Sequence, residues 1–186
     1  MKQLFFDLVA HANGLLRGRE VLLANFDGEE SDFLRFNHAR VRQPMTVRQA
    51  YLTLELVDGR RHDRTTLAVS GNAGEDLPAV RTAIEAMRAD LPSLPEDPYL
   101  LYCADSDTSD AARTGRMPSP EDAVESITTA GAGLDLVGIL ASGSVYRGFA
   151  SSLGARHWHE VDSFLLDWSV YQSGDKAVKA SFAGQH

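Results

Sequence analysis

The stretch Thr46-Val47-Arg48-Gln49-Ala50-Tyr51-Leu52-Thr53-Leu54-Glu55-Leu56-Val57-Asp58-Gly59 decides the fold class of this chain. Ala50, Leu52, Leu54 and Leu56 alternate with Gln49, Tyr51, Thr53 and Glu55, which is the period of a strand with one buried face. Asp58-Gly59 then supplies the positive φ angles of a tight type I′ turn. Residues 60 to 69 read as the returning strand. Upstream, 20 to 26 and 33 to 42 carry strand signals, so residues 20 to 70 read as an antiparallel meander. The acidic run Asp27-Gly28-Glu29-Glu30-Ser31-Asp32 reads as a solvated turn between two of these strands; it lacks the spacing of an EF-hand calcium loop.

Helices flank the meander. Leu4, Phe5, Leu8, Val9, Ala12, Leu15 and Leu16 recur at helical spacing, so 2 to 17 reads as an amphipathic helix that ends at Gly18. Leu77, Val80, Ile84, Met87 and Leu91 mark a second, with Pro78 in its first turn and Pro92 stopping it. Residues 92 to 98 and 105 to 120 are polar and breaker-rich, and read as surface loops. Ser119-Pro120-Glu121-Asp122 has a capping residue, a proline at the first helical position and acids in the first turn, so a third helix starts there and ends at Gly131 and Gly133.

Strand patterns return at 134 to 142, 145 to 150, 156 to 171 and 176 to 182, with Gly143 read as the first break. Phe164, Leu166, Trp168 and Val170 form one apolar face. Glu160 and Asp162 fall on that same face, so either they lie beyond the sheet edge or a bulge shifts the register near Val161. The simplest arrangement is α+β: one domain, 1 to 186, with a largely antiparallel β-sheet and about three packed helices.

The 186 residues are 44% hydrophobic and 24% charged, and mean hydropathy is -0.21, as in ordinary globular proteins. A net charge of -8 repels phosphate backbones, so direct nucleic-acid binding is not expected. No apolar run approaches the ~20 residues that span a bilayer, and no signal peptide opens the chain. The expectation is a cytoplasmic protein without membrane partners. The one cysteine, Cys103, sits in the run Tyr99-Leu100-Leu101-Tyr102-Cys103 and reads as a small buried hydrophobe.

Chemistry-bearing residues concentrate late in the chain. His157-Trp158-His159 on a strand points both imidazoles to one face, and Glu160 or Asp162 could add an oxygen ligand. Ser163 stands where His-Glu-x-x-His needs its second histidine, and Phe164 where His-Glu-x-x-x-His does, so a strand with half-exposed histidines is preferred over a metal site. In Gly143-Ser144-Val145-Tyr146-Arg147-Gly148, small residues and hydroxyls would let an extended peptide approach, with Arg147 meeting a carboxylate. Ser144, Tyr146 and Arg147 are the candidate peptide contacts; the plainer alternative is a hairpin whose glycines serve turns. Ser144 or Ser151 with His157 and Asp162 lacks a nucleophile elbow and is disfavoured as a triad. Arg35, Arg40, Arg42 and Arg48 read as a solvated basic face.

Two stretches resemble the TldD/PmbA family, the zinc-metallopeptidase-related modulators of DNA gyrase. One is Glu30-Ser31-Asp32-Phe33-Leu34-Arg35-Phe36-Asn37-His38-Ala39-Arg40-Val41-Arg42-Gln43. The other is Leu136-Val137-Gly138-Ile139-Leu140-Ala141-Ser142-Gly143-Ser144-Val145-Tyr146-Arg147-Gly148-Phe149-Ala150, continuing through Trp158-His159-Glu160-Val161-Asp162-Ser163-Phe164 to Asp175-Lys176-Ala177-Val178-Lys179. The resemblance implies the amino-terminal α+β domain of a protein about twice as long, preceding a β-rich domain. It implies catalytic members that hold zinc through His-Glu-x-x-x-His and a later cysteine, cleave unfolded or extended peptides, and pair with a non-catalytic subunit. None of those ligands can be placed here, so no catalytic residue is carried over. No cofactor is expected in this chain, zinc belonging to a catalytic homologue or partner.

The resulting expectation is a peptide-processing or maturation role in which this part builds a substrate channel or a homo- or heterodimer interface without a complete catalytic site. Its partners would be a peptide or unfolded polypeptide and a second subunit. The alternative is a stand-alone protein-interaction module, and a third reading is a small metal-dependent hydrolase built on His157 and His159. The strand pattern at the chain's end suggests an exposed edge that mediates association.

Overall fold

A computed structural model of the chain describes residues 1–113, 115 and 117–185. Among these described residues are three α-helices, α1 (Lys2–Asn13), α2 (Ala73–Asp90) and α3 (Pro120–Ala130), and seven strands. The strands are β1 (Val21–Asn37), β2 (Arg40–Asp58), β3 (Arg61–Ala68), β4 (Thr108–Arg113), β5 (Asp135–Ser151), β6 (Arg156–Ser173) and β7 (Lys176–Gln185). They run in the order β3-β2-β1-β5-β6-β4, with β7 also paired to β6. The fold is α+β, with the mostly antiparallel sheet and three helices that the residue pattern implies.

The chain divides into two compact units. The first comprises Met1–Gly28, Gln49–Ala112 and Tyr146–His159. Its core joins Phe5, Leu8 and Ala12 of α1 and Val80, Ile84 and Met87 of α2 to Leu52, Leu54 and Leu56, the alternating set of β2. Trp158 sits at its centre, 2% exposed, with the rings of Phe5, Phe26 and Tyr146 about it at 5.8 to 6.1 Å. Gly148 is small for a reason: a β-carbon there would stand 2.7 Å from the Phe5 ring, so α1 could not lie on the strand. α2 starts where Asn72 Oδ1 accepts the Gly74 amide at 2.9 Å, a side-chain N-cap. The Arg88 guanidinium clamps the helix to the chain before β1. Its Nε donates to Glu20 at 2.6 Å, and Nη2 to Glu20 at 2.8 Å and to the Leu15 carbonyl at 2.8 Å.

The second unit comprises Glu29–Arg48, Arg113–Val145 and Glu160–His186. α3 covers Leu34, Phe36, Leu136 and Leu140, against which Phe164, Leu166, Trp168 and Val170 also pack. Ser119 Oγ accepts the Asp122 amide at 3.0 Å, so the capping signal acts as read.

Several expectations are corrected. Asp27 to Asp32 is not a turn but the middle of β1, and 33 to 42 is not one strand: the chain reverses at His38-Ala39, with φ of 49° and 52°. The acids on β1 find partners, Asp27 in Arg147 and Asp32 in Thr46, so the strand tolerates them. Gly143 breaks nothing; β5 runs through it, which also removes the hairpin reading of 143 to 152. Thr108 to Arg113 form an edge strand, not a loop, while Thr114 and Arg116 of that stretch, and His186, lie outside the described residues. α1 ends at Asn13, and Leu15 and Leu16 pack on the core from beyond it. At the β2–β3 turn only Gly59 has positive φ, not Asp58 as a type I′ turn on Asp58-Gly59 requires. Cys103 is exposed, because the segment from 99 to 107 belongs to no strand or helix that would press it onto the core.

Candidate functional site

Strand alternation creates the candidate site in the first unit. Phe26, Tyr146 and Trp158 point into the core, so Asn25 and Asp27, Arg147 and Phe149, and His157 and His159 point to the opposite face of β1, β5 and β6. With Ser109 and Ala111 of β4 these side chains line a hollow of about 360 Å³, and no helix residue contributes to it.

The groups in this hollow are tied to one another. Arg147 Nε lies 3.0 Å from Asp27 Oδ1, and its Nη1 donates to the Tyr146 carbonyl at 2.8 Å, which fixes the guanidinium across the strand. Both partners are about half exposed, so the pair is screened and can be exchanged for a ligand carboxylate. The His157 ring stacks near Phe149, centroids 6.0 Å apart; its Nδ1 is 2.8 Å from Ser109 Oγ and its Nε2 3.4 Å from Asp107 Oδ1. Hydroxyl, imidazole and carboxylate thus stand in hydrolase order. Asp107 is 70% exposed, however, so the trio acts as a clasp of β4 onto β6. His159 stands exposed on the same face.

The candidates read from the sequence therefore separate. Arg147, His157 and His159 come together. Tyr146 does not join them: it is buried, stacked on Trp158 at 6.0 Å, and belongs to the core. Glu160 alternates to the other face of β6, away from the two histidines. Among the described residues no group of three or more His, Cys, Asp or Glu side chains is placed to hold a metal ion, so the residues present do not fit the zinc that the resemblance implies for catalytic members.

Ser144 lies in the second unit, where its Oγ donates to Asp162 Oδ1 at 2.6 Å. Asp162 Oδ2 accepts the Gly115 amide at 3.2 Å. These bonds explain how an acid sits on the face that also carries Phe164 and Trp168. Beside Ser144 runs a larger hollow of about 680 Å³, lined by Phe33, Val145 and Leu165 and floored by small residues, Ala141, Gly143 and Ala183 among them. The reading of Gly143 as a break hid this surface. Its signal was the odd-numbered set 141, 143, 145, small or branched throughout, beside 163 and 165. Among the described residues no helix is long and apolar enough to cross a membrane.

No family model matches the chain, and no curated protein matches it in sequence. Solved structures do share its fold. A candidate modulator of a DNA gyrase from Thermotoga maritima superposes with a TM-score of 0.64 at 11% identity, over 98% of this chain and 42% of that one. TldE from Thermococcus kodakarensis gives 0.59 at 11% identity, over 98% and 42%. A candidate modulator of DNA gyrase from Bacteroides thetaiotaomicron gives 0.57 at 14% identity, over 99% and 44%. The chain spans about two fifths of the length of these neighbours. They carry the names of the TldD/PmbA family that the sequence resembles.

Proposed function

We propose that this chain is the amino-terminal domain of a cytoplasmic TldD/PmbA-type protein that takes part in peptide processing or maturation by positioning a polypeptide, while the bond-breaking groups lie outside it. The fold shared with TldE over nearly the whole chain is the observation that carries this reading. Two features of the molecule support it. The larger hollow has a floor of small residues between apolar walls, which suits the close approach of an extended backbone and its alternate side chains. Arg147, with its half-exposed counter-ion, is a carboxylate receptor of the kind a peptide terminus or acidic side chain requires. With no ligand set for zinc among the described residues, no hydrolytic step is assigned to them.

Anisotropy of a fluorescein-labelled, carboxymethylated lactalbumin tests the reading. The chain should bind this unfolded probe, and Ser163→Trp, which fills the larger hollow, should weaken binding by about tenfold or more while the melting curve stays in place. The purified chain should leave casein intact and carry no stoichiometric zinc. Casein cleavage with one zinc per chain, or no binding of the unfolded probe, would overturn it.

A further inference from the structure

The β1–β2 hairpin gathers three arginines on one face. Leu34 and Phe36 of β1 are buried in the core beneath α3, so Arg35 and Asn37, which alternate with them, point to the opposite side of the sheet. The turn at His38-Ala39 has only two residues, which sets Asn37 against Arg40 and Arg35 against Arg42. Opposed residues share a face, so Arg35, Arg40 and Arg42 stand together there, all exposed. Among the described residues none of the three is in an ion pair. Asp32 is engaged by Thr46 at 2.6 Å and Asp135 by His38 at 2.7 Å. Like charges set opposite each other weaken a sheet, so local stability does not account for the cluster.

The same face continues into the larger hollow of the second unit. Phe33, which lines that hollow, precedes Arg35 by two residues on β1, and Ala141 of its floor follows Ile139 by two on β5. From Ser31, which also lines it, to Arg35 is about 13 Å along the strand, the reach of about four residues of extended peptide. We propose that the polypeptide seated in this hollow carries acidic residues about four positions from an apolar segment, and that Arg35, Arg40 and Arg42 receive its carboxylates; this rests on the function proposed above and adds the chemistry of what is bound. A guanidinium meets a carboxylate through a planar pair of N–H donors. Three free ones beside an apolar surface match a segment that is apolar at one end and acidic at the other. A nucleic acid is the poorer match, because its phosphates call for a longer basic track and the chain as a whole carries a charge of -8.

Fluorescence anisotropy with two labelled peptides tests this. One is Leu-Val-Thr-Leu-Ser-Gly-Glu-Asp-Glu, and the other has Gln-Asn-Gln in place of the three acids. The whole chain should bind the acidic peptide about tenfold more tightly than its amide counterpart, since three exposed charge pairs each contribute a few-fold. Combining Arg35→Gln, Arg40→Gln and Arg42→Gln should abolish that difference and leave binding of the amide peptide in place. The triple variant should melt no lower than wild type, because it relieves repulsion on an exposed face. Raising salt from about 50 to about 200 mM should shrink the preference of the wild type. Equal binding of the two peptides by wild type, or a preference that survives the triple substitution, would overturn the acidic class and leave the proposed function standing. Failure of both peptides while the unfolded lactalbumin still binds would do the same, and failure of all three probes would sink the proposed function as well. Labelled single-stranded oligothymidine that binds more tightly than the acidic peptide, and is lost in the triple variant, would overturn the acidic class in favour of a nucleic acid.

Discussion

Gly143 and Glu30 touch backbone to backbone: a β-carbon on Gly143 would stand 2.1 Å from the Glu30 carbonyl oxygen and 2.6 Å from the Ser31 α-carbon. Neither atom belongs to a side chain that could swing away. Gly143→Ala should therefore destabilise the chain by about 3 kcal/mol or more, at the upper end of overpacking costs. Chemical denaturation reads this directly, and a loss below about 1 kcal/mol would show that the two strands are farther apart.

The Glu20 and Arg88 side chains are 8% and 16% exposed. The hydrogen bond from Arg88 holds the Glu20 carboxyl below its ordinary 4.5; burial opposes this and the Arg17 amide assists. A group lowered on folding contributes stability that is complete above its unfolded pKa and is lost as pH falls through the folded one. Wild type should thus lose stability progressively below about pH 4.5, and Glu20→Gln should be less stable at neutral pH with a flatter acid limb. Arg88→Met, which strands the carboxylate, should cost about 3 kcal/mol at pH 7. Equal acid sensitivity of wild type and Glu20→Gln would contradict the assignment.

At the β1–β2 turn, His38 and Ala39 both adopt left-handed φ without being glycine. The conformation costs about 1–2 kcal/mol per residue. The Ala39 methyl, buried in the second core cluster, returns about 0.8 kcal/mol. Strain outweighs packing, so Ala39→Gly should raise stability by up to about 1 kcal/mol. A lower melting temperature would mean the methyl contributes more than its size suggests.

His157 joins β6 to Ser109 and Asp107. Its replacement by alanine should speed amide hydrogen exchange across Thr108–Arg113 while leaving exchange at Leu52, Leu54 and Leu56 unchanged, because β4 is an exposed edge and β2 lies in the core. The same variant combined with His159→Ala should leave the zinc content of the purified protein unchanged.

What the sequence disclosed depended on whether a residue's role was local. The N-caps at Asn72 and Ser119, and the alternation of Leu52, Leu54 and Leu56, are decided within a few positions and could be read from the chain. Gly143 could not, for its reason is Glu30, more than a hundred positions away, and a glycine placed for close approach has the same letter as one placed for a turn. The acids of Asp27 to Asp32 misled in the same way: their partners Arg147 and Thr46 lie on other strands. Arg147, His157 and His159, singled out by residue type, line one hollow, whereas Tyr146, a candidate peptide contact by its neighbours in sequence, is buried, because nothing near it in the chain shows that Trp158 stacks on it.

The pairing of β1 with β5 has a consequence for how the protein is made. Leu22 and Ser152, 130 residues apart, are joined twice, the Ser152 amide donating to the Leu22 carbonyl and the Leu22 amide to Ser152 Oγ. A ribosome must therefore deliver the greater part of the chain before β1 can find its neighbour, and during that interval the strand's apolar face has α1, α2, β2 and β3 for shelter but not β5. Such long-range strand pairing should make folding slow and leave apolar surface exposed until β5 emerges.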